Sequence, residues 1–149
     1  MREKFSNELK AAMKAGDKRR VDTIRMIMAA LKDKDIELRG QGKTVAEDDI
    51  LALLQKMVKS RKESFEIYEK AERSDLATQE SEEIAIIEEF LPSQMSEAEV
   101  AEAIGKAIAE TGASSIKDMG RVVGALKGKY AGRMDIAKAS ALVRTRLSS

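Results

Sequence analysis

The sequence predicts an all-α protein, and three observations carry that expectation. Charged residues make up 36% of the chain, Ala, Glu, Lys, Leu and Met are abundant, and aromatic residues reach only 3%; this is the composition of helices with heavily charged outer faces. No alternating apolar–polar run of useful strand length occurs. Helix start and stop signals divide the chain into seven periodic segments. They group as an N-terminal four-helix bundle-like domain over residues 1–91, a linker over 92–96 and a C-terminal three-helix domain over 97–149.

Each segment has its own punctuation. Residues 2 to 15 form a first helix ending at Gly16, and Asp17 is placed to cap the second. That helix carries Val21, Ile24, Met28 and Leu31 at helical spacing and runs to about Gly40. After the loop Gln41-Gly42-Lys43, Thr44-Val45-Ala46-Glu47 reads as a capping box in which hydroxyl and carboxylate satisfy backbone N–H groups reciprocally. The long third helix places Leu51, Leu54, Val58, Phe65 and Tyr68 along one stripe. Lys59 with Glu63, Lys62 with Glu66 and Glu69 with Arg73 stand four apart on its other faces, as solvated ion pairs would.

Ser74 or Asp75 caps a fourth helix with Leu76, Ile84, Ile87, Phe90 and Leu91 as apolar positions, and Pro92 forbids its continuation. Ser96-Glu97-Ala98-Glu99 is a second capping box, opening a fifth helix with Val100, Ile104 and Ile108 that stops at Gly112. Ser115 can cap the sixth, about Ile116 to Lys129. Asp135 can cap the seventh, with Ile136, Ala139, Val143 and Leu147 facing inward. Met26, Met28 and Met57 fall among core positions, where Met fills irregular space.

The 149 residues include no His and no Cys. An imidazole base, a thiolate, a disulfide and the usual zinc or iron–sulfur ligands are thereby excluded, and no catalytic residue, metal site or cofactor is assigned. The longest apolar runs are a few residues, too short to span a bilayer, and Met1-Arg2-Glu3-Lys4-Phe5 does not resemble a secretory signal. A soluble, cytoplasmic protein with no membrane partner is the expectation.

A net charge of +1 hides an asymmetry. Residues 1–73 carry +4, residues 74–111 carry −9, and residues 112–149 carry +6, with eight Lys or Arg against two acids. A basic cluster on a small surface is the footprint of a polyanion partner; the competing reading is that acidic and basic helices pack together and neutralise. Within the basic third, four glycines occupy the thirteen residues from Gly120 to Gly132, although a glycine inside a helix costs up to ~1 kcal/mol relative to Ala. Close helix packing would offset that cost, and so would a flat surface on which another molecule rests. Gly120 and Gly124 share a helical face and suit either; Gly128 and Gly132 are expected to end the helix and make the turn. Neither a Walker nor a dinucleotide glycine pattern is matched.

Single-strand binders need aromatic platforms, and the basic third offers only Tyr130. Major-groove readers need Asn, Gln and Arg on an exposed helix, and residues 112–149 contain no Asn or Gln. A sequence-blind contact to the backbone and shape of structured RNA remains, with Lys117, Gly120, Arg121, Gly124, Lys127, Lys129, Arg133 and Lys138 as candidate residues.

Met119-Gly120-Arg121-Val122-Val123-Gly124-Ala125-Leu126, Gly132-Arg133, Asp135, Val143-Arg144 and Leu147 resemble the tail domain shared by the B subunit of tRNA-dependent amidotransferases and the free-standing YqeY proteins. Leu9-Lys10-Ala11-Ala12-Met13-Lys14, Ala29-Ala30-Leu31-Lys32, Arg61-Lys62-Glu63-Ser64, Arg73-Ser74-Asp75-Leu76-Ala77 and Phe90-Leu91-Pro92 are similar to the latter in order and spacing, so the resemblance covers essentially the whole chain. Val123, Lys127-Gly128 and Met134 with Ile136 depart from the family pattern. The resemblance implies a helical bundle followed by a three-helix tail, and a tail that contacts the tRNA elbow. It also implies an association with carbon–nitrogen ligation using glutamine as amido donor, although the activating cradle and the glutaminase lie outside anything this chain resembles. The expectation is an accessory protein binding structured RNA, tRNA foremost, and acting beside a tRNA-handling enzyme.

Two rival classes remain open on sequence. Glu82 with Glu89, or Glu63 with Glu66, could share a face as an acid–base pair, but a solvated acidic face is the simpler reading of so acidic a segment. The acidic stretch around Glu80 to Glu89 could instead dock on a basic protein, making the chain a protein-interaction module with no RNA contact. Self-association through the third helix is disfavoured because its stripe is wider than a coiled-coil seam.

Overall fold

The computed structural model describes residues 1–148, and among them all regular structure is helical. The helices are α1 (Arg2–Ala15), α2 (Lys18–Gly40), α3 (Glu47–Lys70), α4 (Ser74–Glu88), α5 (Glu97–Thr111), α6 (Met119–Tyr130) and α7 (Ile136–Leu147), with a 3-10 turn Ile116–Asp118 before α6. The chain divides into two compact units, Met1–Leu91 and Pro92–Ser149.

In the N-terminal unit, α1 ends at Gly16, whose φ of 69° lets the chain reverse in the left-handed region. Asp17 then caps α2 by accepting the Arg20 N–H at 3.2 Å. α1 packs on α2, α2 on α4, and α3 pairs with α4 as a long hairpin. Their shared core contains Phe5, Ile24, Ile27, Leu31, Ile50, Leu54, Val58, Ile87 and Phe90. Phe5 meets Phe90 edge to face at 5.0 Å between ring centroids, a geometry favoured by the ring quadrupoles. Met26, Met28 and Met57 are half-buried, as are Phe65 and Tyr68.

Three local expectations are corrected. α3 begins two residues beyond the Thr44 box: its N-cap is Ala46, whose N–H donates to Asp49 Oδ2 at 2.8 Å. Glu47, Asp48 and Asp49 thus fall in the first turn, where the helix dipole favours negative charge. α4 starts at Ser74 after an N-cap at Arg73, and neither Ser74 nor Asp75 caps it. Lys62 and Arg73 turn from the partners expected along α3: Lys62 lies 3.7 Å from Glu88 and Arg73 3.3 Å from Asp75.

The acidic face of α4 is exposed at Glu82, Glu88 and Glu89, as its sequence implies, but Glu83 is buried and all four carboxylates are paired. Glu82 pairs with Arg19 at 3.2 Å, Glu83 with Arg61 at 3.0 Å, and Glu88 with Lys62. Glu89, just past its end, pairs with Arg20, whose guanidinium also holds Glu8 at 2.8 Å. Arg61 and Glu83 are largely buried, with side chains 16% and 8% exposed. Arg61 also donates to the Met57 carbonyl at 3.2 Å, and Gln79 donates to Glu83 at 3.2 Å. Burial, with Glu83 nearby, raises the Glu80 carboxyl above its ordinary range.

The C-terminal unit is a three-helix assembly around Ala103, Ile104, Ala107, Val122, Leu126, Met134, Ala139 and Val143. Its opening box is as the sequence predicts: the Glu99 N–H donates to Ser96 Oγ at 3.1 Å and the Ser96 N–H to Glu99 Oε1 at 3.2 Å. Asp135 caps α7 by accepting the Lys138 N–H at 3.2 Å. The segment ahead of α5 is stitched to the α6–α7 turn. Gln94 Nε2 donates to the Gly132 carbonyl at 2.6 Å, the Met95 N–H to the Arg133 carbonyl at 2.9 Å, and Arg133 Nε to the Ser93 carbonyl at 2.9 Å.

Candidate functional site

α6 is the element on which the candidate residues converge. α5 stops at Gly112, with φ 65°, and the chain re-enters helix through the 3-10 turn. Asp118 closes this connection: one carboxylate oxygen accepts the Ser114 N–H at 2.9 Å and the Ser115 N–H at 3.3 Å, while the other accepts Arg121 Nη2 at 2.6 Å. Arg121 Nη1 donates in turn to the Thr111 carbonyl at 3.2 Å, one of the unpaired acceptors at the end of α5. The backbone donor at Ser114, then Arg121 and Ser115, hold the Asp118 carboxyl at a pKa of about 2, from an ordinary 3.8. Ser115 is the N-cap of the 3-10 turn, as expected from sequence, and Asp118 is its partner in a capping box. The Ser115-x-x-Asp118 spacing is the signal that locates it.

At about 100° per residue, Val122 and Leu126 of α6 face the core, where both are buried. Gly120, Gly124 and Gly128 fall within an arc of about 80° on the outer side, and all three are exposed. A Cβ built on any of them meets nothing within 4 Å. Close packing inside this unit is thus not what offsets the helical cost of these glycines. Lys127, exposed, adjoins the glycine arc about 20° from Gly120, whereas Lys129, also exposed, stands about 100° beyond Gly128 and only about 20° from Val122. Gly128 lies inside α6, not at its end as expected from sequence; the helix runs to Tyr130, and Gly132, with φ 78°, makes the turn.

The other candidate cations divide by what they touch. Lys117 is exposed on the 3-10 turn and Lys138 on the first turn of α7. Neither these two nor Lys127 joins an ion pair among the described residues. Lys129 Nζ lies 5.6 Å from the Tyr130 ring centroid, and the Arg133 guanidinium lies 6.0 Å from it. Arg133 is half-buried and tied to Ser93. Arg121 is committed to Asp118 and Thr111. On sequence, Arg121 and Arg133 stand with the lysines as equal candidates; the structure separates two tethered arginines from four presented lysines. No helix of the described residues is long and apolar enough to cross a membrane.

A family model described as "Yqey-like protein" matches residues 2–147. The relatives include proteins named "Altered inheritance of mitochondria protein 41, mitochondrial". That of Lachancea thermotolerans is 39% identical over 87 residues, covering 58% of this chain and 46% of the relative. That of Vanderwaltozyma polyspora is 32% identical over 89 residues, covering 60% and 47%, and that of Saccharomyces cerevisiae strain YJM789 is 31% identical over 87 residues, covering 58% and 46%. The match spans about half the length of these curated relatives. Their names overturn the cytoplasmic expectation, since each describes a mitochondrial protein.

Proposed function

The chain belongs to the YqeY-like family, and on that premise we propose that its C-terminal unit is a docking surface for structured RNA of the tRNA class, in a protein accessory to a tRNA-handling enzyme. The observation that carries this reading is the outer face of α6, where three exposed glycines with open space above them lie beside Lys127. A smooth helix face lets a ribose–phosphate backbone approach the peptide groups, and Lys127 beside it, with Lys129 further round the helix, neutralises phosphates without reading bases. Lys117 and Lys138 extend the same charge.

Filter binding of tRNA across a salt series tests it. About four phosphate contacts give a log–log slope of roughly −3 to −4. A flat or undetectable response favours a protein-interaction module instead. Any link to carbon–nitrogen ligation with glutamine as amido donor is, on this reading, through a partner: incubating the chain with glutamine, ATP and mischarged tRNA yields no amidated product, and product formation by the isolated chain overturns the accessory role.

A further inference from the structure

We propose that Asp118 and Arg121 form a positioning clamp that sets the start of α6 for RNA; this rests on the RNA reading above. The geometry is that of a brace. Asp118 gathers the Ser114 and Ser115 amides with one oxygen and the Arg121 guanidinium with the other, and Arg121 ties the assembly to the Thr111 carbonyl at the end of α5. The brace therefore fixes both ends of the connection from which Lys117 projects and from which the glycine face begins. The brace occupies two of the five Arg121 N–H donors, whereas Lys127 carries no such tether. Asp118 also adds a negative charge beside a surface meant for a polyanion, which makes sense if its worth is geometric.

The two roles predict opposite signs. If Asp118 acts only through its charge, Asp118→Asn tightens tRNA binding; a clamp predicts that it weakens binding by several-fold with the salt slope unchanged. Arg121→Lys keeps the charge but cannot bridge Asp118 and Thr111 together, so it also weakens binding at constant slope. Lys127→Ala serves as the contrast and lowers the slope magnitude by about 1. Hydrogen exchange at Val122 and Leu126 verifies that each variant stays folded, while exchange at Ser114 and Ser115 accelerates in Asp118→Asn. The clamp is overturned by tighter or equal binding of Asp118→Asn, or by an Arg121→Lys variant that binds as tightly as the parent. Absence of binding by the parent chain overturns the RNA reading itself, a result distinct from either.

Discussion

Arg61 Nε lies 3.0 Å from Glu83 Oε2 across the α3–α4 hairpin, in the least exposed ion pair among those described for the N-terminal unit. The surrounding donors and acceptors complete it: Gln79 serves the second Glu83 oxygen, and the Met57 carbonyl takes Arg61 Nη1. A pair so enclosed is worth little net against an apolar replacement, but each charge alone would be stranded. Arg61→Ala is therefore expected to destabilise the unit by about 3 kcal/mol, while Arg61→Met with Glu83→Leu recovers most of that loss. Denaturant midpoints of the single and double variants check it, and additive losses would contradict it.

Gly124→Ala and Gly128→Ala should each raise stability by roughly 0.5–1 kcal/mol, because both are exposed helical positions with empty space above them. On the proposed reading the same changes weaken tRNA binding, since the added methyl groups lift the ligand off the helix. Thermal unfolding and filter binding on one set of variants would reveal whether stability and binding move in opposite directions. A stabilised variant with unaltered affinity would remove the glycine face from the binding site.

Acid titration tests the Asp118 brace independently of any ligand. Its folded pKa of about 2 lies below the ordinary 3.8, so its contribution is fully present above about pH 4 and is lost as pH falls toward about 2. Asp118→Asn should flatten that part of the stability profile while leaving the neutral-to-alkaline limb unchanged in shape. Urea unfolding monitored by circular dichroism from pH 6 to about pH 2 measures it.

Glu72 joins α3 to α4 with φ 56°, the only non-glycine residue at positive φ among those described. Side chains other than those of Gly and Asn are strained there. Glu72→Gly should stabilise the hairpin by roughly 0.5–1 kcal/mol, seen as a higher unfolding midpoint. A fall in the midpoint would mean that the turn depends on the Glu72 side chain.

How much of this was legible depends on the range of the interaction. Caps written within four residues of one another, Asp17, Ser96 with Glu99, and Asp135, are read directly from sequence because the partners are local. Thr44 misleads because Asp49, in the first turn of α3, reaches back to the Ala46 N–H. The burial of Glu83 is invisible locally, since its partner Arg61 is 22 residues away on another helix. The candidate site shows the same division. Composition and spacing identify α6 and its lysines, but only the fold reveals that Arg121 pairs with Asp118 and Thr111 and that the glycines look into open space. Gly128 was misplaced because a glycine in sequence does not state whether it ends a helix or lies within one; the left-handed Gly132 decides that.

The stitching of Ser93, Gln94 and Met95 to Gly132 and Arg133 has a practical corollary for anyone dissecting the protein. Expression of the tail alone should start at or before Pro92: a fragment beginning at Glu97 would discard three hydrogen bonds and half of the Ser96–Glu99 box, leaving the α6–α7 corner frayed. Limited proteolysis of the full chain should accordingly spare Ser93 to Met95, even though those residues belong to no helix.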